Sequence, residues 1–209
     1  MIELHNLFDL YQEYKIDRVL VWNAVRRKYC KEYKSTELLD WRLIKIKDYN
    51  RFKDAIKSFV SRSYYKDDKE IEKKCIGYYI SYNPINWNNV YLDLMNHLIR
   101  DYAFYIQFNR LDASPTRRII SVIMKNISKK PLVLIDIETK DKEILNEVIN
   151  KIEFIEYMSE TPNGYHILIP LKKVGEAIFR YKILKEFEGY IEYKRNAGLN
   201  ITLLMNKLR

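Results

Sequence analysis

The stretch Leu132-Val133-Leu134-Ile135-Asp136-Ile137-Glu138 constrains this chain more than any other. An apolar run ending on two acids reads as a buried strand. Side chains alternate across a strand, so Asp136 and Glu138 point to the same side. Two acids side by side repel, and they cost free energy if left unpaired. A divalent cation is one reason to keep such a pair at a strand end. A solvated turn, with Glu138 near the N-terminus of the next helix, is the other. The stretch alone leaves both open.

A chain of 209 residues can build one large domain or two small modules with a real core. Hydrophobic residues make up 47% and charged residues 31%, the balance of a folded soluble protein. No run approaches the ~18 apolar residues a membrane span needs, so no membrane partner is expected. The start, Met1-Ile2-Glu3-Leu4-His5-Asn6, lacks the basic end and apolar core of a signal peptide. Cys30 and Cys75 stand far apart, and the expectation is neither a zinc site nor a disulfide. A reducing, cytoplasmic setting fits.

The net charge of +9 is uneven. Residues 1–75 carry +5, residues 76–130 carry +4, and residues 131–209 carry zero. The surplus base therefore lies ahead of the acid-bearing strand. A basic surface suits a polyanion, most often nucleic acid. Eighteen tyrosines offer stacking platforms for unpaired bases, although many of them belong to the core.

Along the chain, His5–Tyr14 and Arg18–Lys34 show helical spacing, the second through Val19, Trp22, Val25 and Tyr29. Trp41–Lys47 alternates like a short strand, and Tyr49–Arg62 is an amphipathic helix. Gly77–Tyr82 reads as a strand stopped by Asn83-Pro84. Asn88–Arg100 reads as a helix and Tyr102–Phe108 as a strand. Pro115 can open a helix running to about Ile127. Arg110, Arg117 and Arg118 are candidate phosphate contacts. No repeat or low-complexity linker appears.

The second part has a clear order. Pro131–Glu138 is a strand and Asp141–Lys151 a helix. Phe154–Ser159 and Tyr165–Leu171 are strands joined by the turn residues Thr161-Pro162-Asn163-Gly164. Gly175–Phe187 is a helix and Tyr190–Lys194 a strand. That is β-α-β-β-α-β, the ferredoxin-like or RNA-recognition-motif-like unit, and the fold class is α+β. In that unit the first strand lies between the third and fourth. Asp136 and Glu138 should then sit between the His166 strand and the Glu192 strand, each about 4.8 Å away. Parity sends Val133, Ile135, Ile137, Ile167, Ile169 and Leu171 toward the helices. It leaves Asp136, Glu138 and His166 on the opposite face. Glu192 would be a third carboxylate there, and it is preferred over the neutral Asn200 as the third acid. Three acids can hold two Mg²⁺ or Mn²⁺ ions for phosphoryl or nucleotidyl transfer. Such closely placed carboxylates should hold protons tightly when no cation is bound. His166 is a metal ligand, an acid–base group or a phosphate contact on this reasoning.

Three stretches resemble the archaeo-eukaryotic primase superfamily, the primase-polymerases. Ile135-Asp136-Ile137-Glu138 is similar to its apolar, acid-any-acid first motif. Ser159-Glu160-Thr161-Pro162-Asn163-Gly164-Tyr165-His166-Ile167-Leu168-Ile169-Pro170-Leu171 is similar to its second. There a glycine turn leads a histidine into a strand, and the likeness extends to the closing Pro-Leu of bacterial end-joining polymerase domains. Ile191-Glu192-Tyr193-Lys194-Arg195-Asn196 resembles the third motif of those same domains. Tyr78-Tyr79-Ile80-Ser81-Tyr82-Asn83-Pro84 looks like an early strand in many of them.

The resemblance implies an N-terminal basic α/β module over residues 1–130 and an RNA-recognition-motif-like catalytic module over 131–209. It implies a DNA primase or polymerase that starts or extends a primer on single-stranded DNA from nucleoside triphosphates. A replicative helicase is a further partner it allows. Asp136, Glu138 and Glu192 would bind two Mg²⁺ or Mn²⁺ ions. His166 would contact the phosphates of the incoming nucleotide. Ser159, Thr161, Gly164 and Arg195 would line the nucleotide site.

The chain also departs from the pattern. Two of its three acids are Glu where Asp is usual, and no zinc-binding insertion separates the first two motifs. These departures suggest a minimal enzyme of the kind carried by viruses and mobile elements, or a relative with reduced activity. Two other readings compete. One is an inactive RNA-recognition-motif-like binder of single strands, although such modules carry aromatics where this strand has acids. The other is a 3′–5′ exonuclease, which needs aspartates beyond Asp141, the last in the chain.

Overall fold

In the computed structural model, the described residues are 2–26, 30–33, 37–108, 115–127, 131–152, 154–173, 185–194 and 198–206. Helix α1 (Ile2–Glu13) leads into strands β1 (Arg18–Val25) and β2 (Glu37–Lys45), then α2 (Tyr49–Val60). The short hairpin β3 (Tyr65–Lys66) and β4 (Lys69–Glu70) precedes β5 (Ile76–Ile80). Helices α3 (Trp87–Phe108) and α4 (Pro115–Lys125) follow. Next come β6 (Leu132–Ile137), α5 (Lys142–Lys151), β7 (Tyr157–Thr161), β8 (Gly164–Pro170) and β9 (Ile191–Lys194). The chain returns through β10 (Leu199–Asn200) to α6 (Thr202–Asn206).

The architecture is α+β, built on two four-stranded sheets whose pairs all run antiparallel. The first sheet has the order β10-β5-β1-β2, and the second β7-β8-β6-β9. The strand of Asp136 therefore lies between the His166 and Glu192 strands, as the pattern predicts. The expected helix at 175–187 falls mostly outside the described residues. Residues 1–130 supply three strands of the first sheet, and β10 crosses back to supply the fourth by pairing Leu199 with Ile80 and Asn200 with Tyr79.

Three expectations are corrected. Arg18–Val25 is a strand, not a helix. It is central, with β5 on one side and β2 on the other, and both its faces are buried. A strand covered on both faces loses its two-residue alternation, and its apolar residues then mimic helical spacing. The strand expected at Tyr102–Phe108 is instead the end of α3. No glycine or proline interrupts the chain between Arg100 and Phe108, and a helix already nucleated extends more cheaply than a strand can start. Cys30 and Cys75 form a disulfide across 45 residues of sequence. Val25 pairs with Ile76, so β1 and β5 bring the two cysteines together; that contact is invisible while β1 is read as a helix.

α2 shows how the outer helices hold on. Phe52, Ile56, Phe59 and Val60 are its buried residues, a stripe at helical spacing. The Asp48 carboxylate accepts from the Arg51 N–H and caps its first turn. Each such buried side chain contributes roughly 1.5–3 kcal/mol.

The main core joins both sheets. Val19, Val21, Ile76, Tyr78 and Ile80 of the first sheet share one cluster with Leu132, Leu134, Tyr157 and Leu168 of the second. The other face of the second sheet carries Val133, Ile135, Ile137, Ile167 and Ile169, packed with Leu145 and Val148 of α5. This is the parity expected from the sequence. No helix among the described residues is long and apolar enough to cross a membrane.

Candidate active site on the inner face of the second sheet

Register decides the site. Ser159 pairs with His166, His166 with Asp136, and Asp136 with Glu192. One row therefore crosses all four strands: Ser159, His166, Asp136, Glu192. Pairing partners share a face, so this row looks toward the first sheet. Tyr157, Leu168, Leu134 and Lys194 form the next row inward. Glu138 lies one row outward and is exposed. Its N–H donates to the Tyr190 carbonyl, 2.8 Å, and so continues the pairing beyond β9.

The hairpin that delivers His166 depends on Gly164. A Cβ there would come within 1.8 Å of the Ile137 carbonyl oxygen and 2.9 Å of the Thr139 nitrogen. Only glycine lets β8 approach the end of β6 this closely. Thr161, its pairing partner, is buried, and its carbonyl accepts from Lys140 Nζ at 2.6 Å.

Asp136 is the hub, with only 8% of its surface exposed. His166 Nε2 stands 3.2 Å from its Oδ1. Lys194 Nζ donates to its Oδ2 at 2.5 Å and lies 3.1 Å from Glu192 Oε2. His166 Nδ1 accepts from the Asn200 N–H at 2.9 Å. An acceptor at Nδ1 puts the ring proton of neutral His166 on Nε2, facing Asp136. Asn200 Oδ1 accepts in turn from the Thr202 N–H at 3.0 Å and the Thr202 hydroxyl at 2.7 Å.

These contacts reverse one expectation. Crowded carboxylates were expected to hold protons tightly. Burial does push the Asp136 carboxyl up, and it is the largest single influence. The hydrogen bond that neutral His166 donates, then the hydrogen bond and charge of Lys194, outweigh it and hold the group down at about 2. Burial works against the Lys194 charge, but Asp136 and then Glu192 raise its affinity for the proton. Lys194 thus offsets part of the acids' charge; the sequence offers Lys194 or Arg195 as a partner for Glu192 on a solvated edge, but not the bond of Lys194 to buried Asp136. The signal was present: Lys194 lies two residues beyond Glu192 on a strand, hence on the same face.

Ser159 is buried, and its Oγ has no hydrogen-bond partner in the structure. Leaving a buried hydroxyl unsatisfied costs about 1–3 kcal/mol, so this atom is suited to meet a ligand. Arg195 and Arg110 lie outside the described residues. Arg117 and Arg118 fall on α4.

Carboxylate oxygens are the ligands that Mg²⁺ and Mn²⁺ take. A preformed cage is not there. Among the described residues, only Cys30, Glu32 and Cys75 place three such ligand atoms within 4.8 Å of one another, and those two sulfurs are bonded together. Asp136 and Glu192 are instead bridged by Lys194. The donor type fits, but the spacing for two ions does not. Comparison with protein-family models, with curated proteins and with solved structures returned no match.

Proposed function

We propose that the chain is a nucleotidyltransferase of the primase-polymerase kind, starting or extending a primer on a single-stranded DNA template. One observation carries this reading: a buried acid flanked in register by a histidine and a second acid, on the inner face of a β7-β8-β6-β9 sheet that packs on a second sheet. The reaction joins the primer 3′ oxygen to the α-phosphorus of a nucleoside triphosphate and releases pyrophosphate. Mg²⁺ or Mn²⁺ would supply charge to stabilise the phosphoryl oxygens once the carboxylates of Asp136, Glu138 and Glu192 draw together around it.

The remaining roles belong to the chain itself. His166, fixed from behind by the Asn200 N–H, presents a polar edge beside Asp136. Ser159 Oγ offers a donor to the nucleotide from the same row. The +9 net charge supplies the attraction to template.

The test is incorporation of labelled nucleotides on a single-stranded template with Mn²⁺ or Mg²⁺, with and without primer. Incorporation by the native chain and none by Asp136→Asn is the expected result. No incorporation under any of these conditions would refute the reading.

A second reading has its own observation. Lys194 bridges Asp136 and Glu192 and offsets one of their two charges with no metal present. Such a chain would bind single strands or nucleotides and catalyse nothing. Nucleotide binding that survives EDTA, in a protein that incorporates no nucleotide, would select this reading.

A further inference from the structure

Helix α3 packs one face against the protein and leaves another bare. Val90 and Leu94 pack with Val122 and Ile123 of α4, and Asp93 accepts from Asn126 Nδ2 at 2.8 Å. The bare face carries Tyr91, Leu92, Met95, Leu98, Ile99 and Tyr102, each between 57% and 68% exposed. Tyr91, Met95, Leu98 and Tyr102 follow one another at steps of four, three and four residues, with Leu92 and Ile99 along one edge. That spacing is the seam of a helix that packs on another helix. A single exposed leucine is ordinary, but six large apolar side chains in one stripe are not. Together they expose on the order of 700 Å², more than the ~300–600 Å² of the largest apolar patch on a typical monomer.

Chemistry selects the occupant. Between Asn88 and Ala103 the charged residues are Asp93, Arg100 and Asp101, and helical rotation puts all three off the stripe. A polyanion would meet no cation here, despite the net charge of +9. A membrane-surface helix carries Lys and Arg along its polar face, whereas this stretch has a single Arg against two Asp. An apolar protein face is the fitting partner, and the stripe itself is one. Its steps of four, three and four read the same in either direction. A two-fold axis between Met95 and Leu98 therefore sets Tyr91 against the partner's Tyr102 and Met95 against the partner's Leu98. Two such stripes cover on the order of 1,400 Å², within the ~1,200–2,000 Å² that specific, stable interfaces bury. Two-fold dimers are also the commonest closed assembly. We infer that two copies of this chain pair through α3, helix against antiparallel helix. Leu20 packs with the cluster of α3 and α4, whereas Val19 and Val21 face the core shared by the two sheets. The pairing surface thus lies on the far side of the first sheet from the Asp136 row, and the inference does not depend on the nucleotidyltransferase reading.

The experiment is sedimentation velocity on the full chain over ~1–100 µM. The native protein should pass from 25.4 kDa toward twice that mass as its concentration rises. Leu98→Glu should weaken the dimer at least ~30-fold, because pairing would bury the new charge. Arg100→Glu, on the same helix but off the stripe, should leave the dimer unchanged. Melting curves establish that each variant is folded, and Met95→Glu takes the place of Leu98→Glu if that chain does not fold. Met95→Cys and Leu98→Cys chains, mixed, should oxidise to a mixed dimer faster than either does alone; faster pairing of like chains would refute the antiparallel order. A native chain that stays monomeric over the whole range would overturn the inference, and so would a dimer that Leu98→Glu leaves intact. A monomer that floats with phosphatidylserine vesicles, and no longer does so as Leu98→Glu, would overturn it in favour of a membrane surface.

Discussion

Replacing Asp136 by Asn tests whether the acids of the row repel one another or are held. The two possibilities predict opposite signs. If the carboxylates repelled, removing one charge would stabilise the protein. The structure places Asp136 against His166 and Lys194, and its carboxyl drops from an ordinary 3.8 to about 2. A shift of that size corresponds to roughly 2.5 kcal/mol. Solvent still reaches the Glu192 side of the bridge, so about 1–2 kcal/mol is the expected contribution after screening. In a chain this long that is a melting-temperature loss of about 3–6 °C at pH 7.

The pH window follows from the direction of the shift. The folded-state value lies below the unfolded one. The stabilisation is therefore complete above about pH 4–5 and disappears as the pH falls through about 2. Urea unfolding followed by circular dichroism, at several pH values from 7 down to 2.5, should show a gap between native and Asp136→Asn proteins that narrows with acid. An Asn variant as stable as the native protein at pH 7, or more stable, would refute the argument. So would a gap that does not depend on pH.

Four further outcomes are expected. Gly164→Ala should cost about 3 kcal/mol or more in urea unfolding, because its Cβ meets backbone atoms of β6 rather than a flexible side chain. Reduction of the Cys30–Cys75 bond, or Cys30→Ser, should cost about 2–4 kcal/mol, since the bond closes a loop of 45 residues; equal melting with and without reductant would count against it. In one primer-extension assay Glu192→Gln should lose at least ~10²-fold in rate, whereas Asn200→Ala should lose far less, because the bond to His166 comes from the Asn200 backbone. Affinity for a single-stranded oligonucleotide should fall at least ~10-fold between 50 and 200 mM salt; a flat salt response would remove the basic surface as the grip.

The row was legible because its parts are encoded locally. An apolar run fixes β6, Gly164 fixes the turn, and two-residue alternation assigns each side chain a face. Antiparallel register then brings Asp136 opposite both His166 and Glu192. What was not legible depends on contacts distant in sequence. β1 is covered on both faces, so alternation disappears exactly where the strand is most central to the sheet. β10 is two residues long and has no pattern of its own; it forms because β5 offers an edge. Gly198 lets it close, since a Cβ there would lie 2.1 Å from the Trp22 ring. The Lys194 bridge runs diagonally between rows, and a long flexible side chain carries no periodic signature of its reach.

Both groups that hold Asp136 are themselves held from the first sheet. The Tyr78 N–H donates to the Thr202 hydroxyl, which donates to Asn200 Oδ1, and the Asn200 N–H donates to His166. The Tyr82 hydroxyl donates to the Lys194 carbonyl. Asn83, next along, bonds both the N–H and the carbonyl of Leu132, fixing the start of β6 at 3.1 and 3.0 Å. Residues 78–83 thus secure β6, His166 and Lys194 together. The second sheet supplies every charged group in the row, yet the docking of the sheets sets how those groups meet. A shift of β5 by one residue would move Tyr78, Tyr82 and Asn83 off their partners at once. His166 would lose the acceptor role that fixes its proton, and Lys194 would lose its anchor. That dependence explains why the chain returns through β10 after β9 has completed the second sheet: the return places the Asn200 N–H behind His166, a donor that no residue of the second sheet provides.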